Sequence, residues 1–329
     1  MSSTAVLPKR PLGGTGIDVS CLGLGTVKFG RNEGVKYPAD FALPDDRSIQ
    51  SILQQCAERG MNLLDTAPAY GNSEKRLGQL LENRQQWVIC SKVGEEFSKG
   101  ASHYDFSAGH TRKSIERSLK RLRTDYLDIV LVHSDGSDEA IIHHSDCLEA
   151  LQRAREDGLI RAYGMSTKTI AGGLLTVVHA DIVMVTLNPA ATDDLVVIEA
   201  AHKQGKGVLI KKALNSGHVL SGQTDATQPP QDPVQNSLDF IFANAGGPSS
   251  SAALLRSICS IILIARFARL LTTSAINPAY EPPSIACRMT IIGTPFGMAL
   301  MTLRRTACLF KKNRHKLLIS GDSLLNSLD

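Results

Sequence analysis

The sequence lacks both the long apolar run that crosses a membrane and the cysteine pattern of a secreted scaffold. Its longest apolar stretch, residues 258–265, is far shorter than the roughly 20 residues of a spanning helix, and polar residues interrupt it. The N-terminus has no continuous apolar segment of the kind found in signal peptides. The seven cysteines are scattered and contain no CxxC pair, unlike a disulfide framework. We therefore expect a cytoplasmic protein that is neither exported nor bound to a membrane.

Two common kinds of binding site are also poorly represented. Gly23-Leu24-Gly25 has no third glycine, because Lys28 stands where the dinucleotide fingerprint GxGxxG requires one. The adjacent pair His143-His144 is not spaced across a helix face, as two zinc ligands would be, and we interpret it as a solvated loop pair. The sequence thus argues against a Rossmann domain and predicts no metal site.

The charge is unevenly distributed along the chain. Residues 241–329 contain ten lysines and arginines but only three acidic residues. A basic arm can bind nucleic acid, but this one has no interleaved aromatic residues and no clear amphipathic face. We predict no nucleic-acid partner; salt-sensitive binding by residues 241–329 alone would contradict this. The sequence gives no indication of oligomeric state.

What the chain does contain is a regular alternation of apolar, β-rich runs with helical patterns. With 43% hydrophobic and 21% charged residues, the composition is that of a folded globular protein. The alternation over the first 215 residues is typical of βαβ units and a parallel sheet. Seven strands are predicted, at residues 21–26, 62–66, 88–92, 127–133, 161–166, 182–188 and 207–212.

The positions of the polar residues distinguish a closed barrel from an open sheet. Six of these strands have a polar or ionisable side chain at the carboxyl end: Asp65, Lys92, His133, Ser166, Asn188 and Lys212. A (β/α)8 barrel collects its active site from the carboxyl ends of all its strands, whereas a doubly wound sheet concentrates it at one crevice. We therefore predict an α/β fold, a (β/α)8 TIM barrel, with a small hairpin over residues 9–19 closing its bottom.

The C-terminal part of this barrel is atypical. We predict seven βα units over residues 1–242 and a divergent basic segment over residues 243–329. Fragments resembling a missing strand occur at residues 273–278 and 291–295, while residues 258–264 or 290–292 are apolar enough to fill the gap. An unclosed barrel would expose two strand edges, so one of these segments is expected to complete it.

The sharpest local pattern is Leu64-Asp65-Thr66-Ala67-Pro68-Ala69-Tyr70-Gly71-Asn72-Ser73-Glu74. It is joined by Ser91-Lys92-Val93-Gly94 and Leu131-Val132-His133-Ser134, with Gly23-Leu24-Gly25-Thr26 before and Gly164-Met165-Ser166 after. From about residue 11 to 242 the chain resembles the aldo-keto reductase superfamily, especially its bacterial sugar dehydrogenases and small-aldehyde reductases. The resemblance implies a catalytic tetrad of Asp65, Tyr70, Lys92 and His133.

The same four residues suit carbonyl chemistry on their own terms. A carbonyl that receives hydride develops oxyanion charge and needs a proton donor close by, which Tyr70 can supply. A tyrosine has a pKa of about 10, so the ammonium of Lys92 should lower the pKa of Tyr70 toward the working range. Asp65 would keep Lys92 charged, and His133 would donate to the substrate oxygen or share the tyrosine proton.

The resemblance also implies an extended nicotinamide dinucleotide across the barrel mouth. NADP(H) is the family default and NAD(H) the alternative. The predicted contacts share small size or a hydrogen-bonding group at a strand end: Gly25, Thr26, Val27, Asp65, Ser166, Asn188 and Lys212. The resemblance implies a small aldehyde, a ketone or an aldose as the substrate. The loops that would shape specificity, at residues 94–109 and 134–144, carry no motif that distinguishes among these three classes.

Two other hypotheses about the function of this barrel remain open. A catalytically degenerate barrel that senses the cofactor would bind it without turnover. A barrel aldolase would use Lys92 as a Schiff-base amine, although the adjacent Asp65 and Tyr70 fit hydride transfer better.

Overall fold

The computed structural model describes residues 6–221, 232–244, 258–264, 288–293 and 299–304. Their strands are, in chain order, β1 (Lys9–Pro11), β2 (Asp18–Ser20), β3 (Leu22–Gly25), β4 (Leu63–Asp65), β5 (Val88–Val93), β6 (Glu95–Ser98), β7 (Ala101–Tyr104), β8 (Leu127–His133), β9 (Ile160–Ser166), β10 (Ile182–Thr186), β11 (Gly207–Lys211), β12 (Ile258–Ile264), β13 (Arg288–Gly293) and β14 (Ala299–Arg304). The helices in the same ranges are α1 (Val27–Gly30), α2 (Asp46–Glu58), α3 (Ser73–Leu80), α4 (Ala108–Leu122), α5 (Asp138–His144), α6 (Cys147–Glu156), α7 (Ile170–His179), α8 (Leu195–Lys203) and α9 (Pro233–Asn244).

Eight of these strands form a closed parallel barrel. Going around it, the order is β3, β4, β5, β8, β9, β10, β11, β12, and β12 returns to β3. The closing pairs run from Ile261 opposite Leu22 to Ile264 opposite Gly25. The predicted (β/α)8 barrel is confirmed, and residues 258–264 supply the eighth strand. Residues 290–292 lie instead in β13, which pairs with β14 in a separate hairpin; residues 273–278 lie outside the described residues.

Strands β5 and β8 are buried on both faces, which explains why their sequences are largely apolar. All six residues of β5 are buried, as are the first six of β8. Inside the barrel, Leu12, Ile17 and Val19 pack in one cluster with inward-facing strand residues. These three come from the β1–β2 hairpin and its turn, so the hairpin closes the barrel at the amino ends of the strands, as predicted.

Local capping fixes where several helices begin. Asp45 accepts a hydrogen bond from the Ser48 amide at 2.8 Å and caps α2, and the Ser107 hydroxyl accepts from the His110 amide and caps α4. Such a cap stabilises a helix by about 1 kcal/mol. The helices therefore begin where the side-chain chemistry predicts.

The loops after β5 and β8 contain more structure than the sequence suggested. Residues 94–109 include the β6–β7 hairpin, and residues 134–144 include α5. His143 and His144 lie in the last turn of α5 and are exposed, so describing them as a loop pair was wrong, although they are solvated. None of the helices in the described ranges is both long and apolar enough to cross a membrane.

Candidate active site

Three neighbouring strands bring four predicted residues to one end of the barrel. Asp65 ends β4, Lys92 is the penultimate residue of β5, and His133 ends β8. Tyr70 follows β4 in a 3₁₀ turn, Pro68–Tyr70. Because the carboxyl ends of parallel strands open onto the same mouth, these side chains converge although 68 positions separate Asp65 from His133 in the sequence.

Lys92 is the centre of the cluster. Its side chain is 2% exposed, and Nζ lies 2.5 Å from Asp65 Oδ1, 2.9 Å from the Thr66 carbonyl oxygen and 3.3 Å from the Tyr70 hydroxyl. An ammonium has three protons to donate, and three acceptors surround it. Lys92 is therefore fully satisfied, and one of its protons is directed at Tyr70.

Burial and charge compete at this cluster. Burial disfavours the charged form of Lys92, but Asp65 and Tyr70 outweigh it and raise the lysine pKa. Burial raises the pKa of Tyr70, and the opposing effect of Lys92 is smaller. The expectation that Lys92 would bring the pKa of Tyr70 toward the working range was therefore wrong in its net result, because desolvation dominates. Tyr70 is held as a neutral phenol.

Tight backbone packing fixes the position of Tyr70. A Cβ added to Gly30 would lie 2.1 Å from the Ser73 amide nitrogen and 2.4 Å from the Tyr70 carbonyl oxygen. Arg31 donates from Nη1 to the Ala69 carbonyl oxygen at 3.0 Å. The turn that carries Tyr70 thus packs against α1 and the residue after it, at a distance that excludes a side chain at position 30.

His133 faces Tyr70 and has a partner that sequence analysis missed. The two rings are perpendicular, with centroids 6.1 Å apart. Nδ1 of His133 lies 2.7 Å from Oε2 of Glu95, the first residue of β6. Burial lowers the pKa of His133 despite the opposing effect of Glu95. One signal was available in the sequence, since an acidic residue two positions after a barrel strand should reach the mouth.

Of the predicted cofactor contacts, those after β3 already interact with other site elements. The Thr26 hydroxyl donates to the Asp65 carbonyl oxygen at 2.9 Å and accepts from the Ser73 hydroxyl at 2.8 Å. Val27 is buried at the start of α1, and Gly25 ends β3 beside Asp65. Thr26 therefore joins β3, β4 and α3, while Gly25 leaves the strand end uncovered by a side chain.

The contacts predicted after β9, β10 and β11 have different environments. Ser166 accepts from Lys211 Nζ at 2.9 Å. The Asn188 side chain is used within the protein, donating to the Lys212 carbonyl oxygen and accepting from the Ala190 amide. Lys212 is exposed and lies just after β11, so Lys211 is the lysine that reaches into the mouth. Burial, and next the charge of Lys212, lower the pKa of Lys211 to about 7.

The barrel mouth fits a dinucleotide in two respects. The Thr167 hydroxyl oxygen is buried beside Ser166 and has no hydrogen-bond partner in the described part of the chain. Burial lowers the pKa of Lys212 most, and the charges of Lys36 and Lys168 lower it further. The three lysines therefore lie near one another and form a cationic group at the rim. A buried unsatisfied hydroxyl suits an amide or hydroxyl group of a ligand, and clustered ammonium groups suit phosphate.

Within the described ranges, no group of three or more His, Cys, Asp or Glu residues is arranged to hold a metal ion. The cysteines at positions 21, 56, 90 and 147 are buried thiols.

Comparison with known proteins gives a consistent result. The model of the aldo/keto reductase family matches residues 21–261. A solved structure of a Pseudomonas aeruginosa protein, provisionally classed as an aldo-keto reductase, is 44% identical, with a TM-score of 0.68 over 80% of this chain and 91% of that one.

Two curated relatives are more distant. L-galactose dehydrogenase of Arabidopsis thaliana is 34% identical over 48% of this chain and 47% of its own length. The NADH-specific methylglyoxal reductase of Escherichia coli is 31% identical over 48% of this chain and 51% of its own. The chain thus spans about half the length of the curated relatives it matches.

Proposed function

Because the chain belongs to the aldo/keto reductase family, we propose that it is an NAD(P)-dependent oxidoreductase acting on a carbonyl or alcohol, with Tyr70 as general acid and base. The observation that carries this proposal is the contact of one buried ammonium, Lys92, with both Asp65 and Tyr70. Relatives named for a sugar and for methylglyoxal support a small aldehyde, a ketone or an aldose as the substrate class.

When bound, the nicotinamide supplies or accepts the hydride. Tyr70, neutral because it is buried, gives its proton to the carbonyl oxygen as negative charge develops there. Lys92 then stabilises the phenolate that remains, and Asp65 keeps Lys92 charged and aimed. In the reverse direction the phenolate accepts the alcohol proton. The neutral resting state of Tyr70 favours the reductive direction in this scheme.

We assign the cofactor to the mouth formed by Gly25, Val27, Ser166 and Lys211, with Lys212 at its rim. NADP(H) is proposed before NAD(H), on the family default alone. Asn188 contributes through the Lys212 carbonyl oxygen to the shape of this rim, because its amide donates to that oxygen and accepts from the Ala190 amide.

The aldolase alternative fits this geometry poorly. A Schiff-base lysine must lose its proton to attack a carbonyl. Lys92 is paired with Asp65 at 2.5 Å, and its pKa is raised. The paired ammonium is therefore suited to stabilising a phenolate and unsuited to nucleophilic attack.

The proposed function is tested by comparing wild type with Tyr70→Phe. NADPH and NADH binding are measured by fluorescence titration, and turnover is measured against a panel of aldehydes, ketones and aldoses. Loss of a general acid should lower kcat by about 10²- to 10⁴-fold, while the affinity for the dinucleotide stays unchanged.

Tyr126→Phe is the matched control, because Tyr126 lines a cavity of about 420 Å³ beside the β1–β2 hairpin, at the opposite end of the barrel. Binding without turnover in the wild type would favour a cofactor-sensing barrel. Equal turnover by wild type and Tyr70→Phe would refute the assignment of Tyr70.

A further inference from the structure

We infer that Glu95 is a positioning residue that keeps a proton on Nδ1 of His133, so that His133 can donate a hydrogen bond to substrate only as an imidazolium. This inference deepens the proposed function and rests on it. It concerns a carboxylate outside the four residues predicted from sequence.

The carboxylate of Glu95 is fixed from three sides. Oε2 lies 2.7 Å from His133 Nδ1, at ion-pair distance but without the alignment of a hydrogen bond. Oε1 accepts from the Ser102 hydroxyl, on the facing strand β7, at 2.6 Å. Arg31 Nη1 lies 3.9 Å from the same oxygen. Glu95 is 8% exposed. The β6–β7 hairpin therefore holds a buried carboxylate beside Nδ1 of His133.

This group is ionised under working conditions. Burial raises the pKa of Glu95, but His133, Ser102 and Arg31 together outweigh it and lower the pKa to about 2. A carboxylate oxygen 2.7 Å from a ring nitrogen repels a lone pair and attracts a proton. In the neutral imidazole the single proton therefore belongs on Nδ1.

The tautomer decides what the other nitrogen can do. With a proton on Nδ1, neutral His133 offers Nε2 as an acceptor, and Nε2 becomes a donor only when the ring is protonated. A carbonyl oxygen needs a donor, whereas an alcohol hydroxyl can donate to an acceptor. With Glu95 in place, donation from His133 to a carbonyl oxygen therefore requires the protonated ring, whereas acceptance from an alcohol requires the neutral ring.

The charges around the ring set where this change occurs. Burial lowers the pKa of His133 first, Glu95 raises it, and Lys92 and Lys211 lower it further, giving a net decrease. Tyr70 faces the ring as a neutral group. Reduction should therefore decline as pH rises through the lowered pKa of His133, and removal of Glu95 should move that decline to lower pH.

The test measures the ring itself. Long-range ¹H–¹⁵N spectra of ¹⁵N-histidine-labelled protein give the tautomer and pKa of His133, whose signals are identified by their loss in His133→Gln. We expect the Nδ1–H tautomer in the neutral wild type. In Glu95→Gln the pKa of His133 should fall by about 1 unit or more, and in Glu95→Asp it should stay nearer the wild-type value.

Glu96→Gln is the matched control, because Glu96 is the adjacent carboxylate and pairs with Arg117, away from His133. The pH profile of kcat/KM should move with the pKa in Glu95→Gln and stay in place in Glu96→Gln. If Glu95→Gln does not fold, Ser102→Ala keeps the charge but loosens it, and should give a smaller decrease.

An Nε2–H tautomer in the wild type, or an unchanged His133 pKa in Glu95→Gln, would overturn the inference. The spectra decide this even in a protein without turnover, and absence of turnover counts against the proposed function alone.

Discussion

Replacing Lys92 with methionine should destabilise the fold far more than loss of an ordinary lysine. Asp65 is 5% exposed and would lose an ammonium at 2.5 Å, keeping the Tyr70 hydroxyl at 3.5 Å as a weak partner. Breaking a buried ion pair on one side costs about 3–5 kcal/mol, whereas replacing both members with neutral side chains costs much less. Lys92→Met should therefore lower the free energy of unfolding by about 3–5 kcal/mol, and Asp65→Asn/Lys92→Met should lower it by clearly less.

Urea unfolding of wild type, both single variants and the double variant gives a double-mutant cycle. The stability lost in the double variant should be smaller than the sum of the single losses by several kcal/mol. Lys203→Met is the matched control, since Lys203 pairs with Glu199 on the exposed face of α8 and should change stability little. Additive single losses, or equal losses for Lys92→Met and Lys203→Met, would refute the view that Lys92 and Asp65 stabilise the fold as a pair.

Two further changes probe the surroundings of the site. Gly30→Ala should lower the free energy of unfolding by about 1–3 kcal/mol, because the new Cβ meets the backbone of Tyr70 and Ser73; an unchanged urea midpoint would contradict this. Lys211 has a pKa near 7 in the fold and about 10.5 in the unfolded chain. Between these values the unfolded chain binds more protons, so the stability from this group rises with pH and is lost as pH falls from about 10.5 to about 7. Lys211→Met should therefore raise Tm more at pH 6 than at pH 10, and an equal change at both would count against the burial of a charged ammonium at this position.

The strands were predictable because burial on both faces leaves a distinctive sequence. β8 begins and ends where expected, since Leu127–His133 is an apolar run that ends in a polar residue. The ends of β10 and β11 were placed too late, because Asn188 and Lys212 are polar residues beyond the last paired positions, Thr186 and Lys211. A polar residue near a strand end predicts where the mouth of the barrel lies, but it does not determine which residue is the last to pair with the neighbouring strand.

Adjacent lysines show how much one residue matters at such an end. Lys211 and Lys212 are chemically identical, and the sequence offers no reason to prefer either. Lys211 is the last residue of β11 and donates to Ser166, whereas Lys212 has a φ of +55° and leaves the strand. Successive side chains of a strand point to opposite faces, so the strand end decides which lysine enters the site.

Glu95 was missed for a different reason. The β6–β7 hairpin has no apolar alternation, because three of the four residues in β7 are exposed. The carboxylate acts on His133, 38 positions further along the chain, through a contact that exists only once β5 and β8 are paired. The position of Glu95, two residues after β5, indicates that it lies near the mouth, but the local pattern does not identify His133 as its partner.

The eighth strand depends on a property that no single segment displays. Several fragments after residue 242 have suitable apolar sequences, but a completing strand must pair on both edges. Residues 258–264 do so, against Ile210 on one side and Gly25 on the other. Gly25 lies in β3 and also pairs with Asp65 of β4. Only β3 therefore separates the closing strand β12 from the strand that carries Asp65. The segment after residue 242 therefore completes the sheet that holds the strand of Asp65 in place.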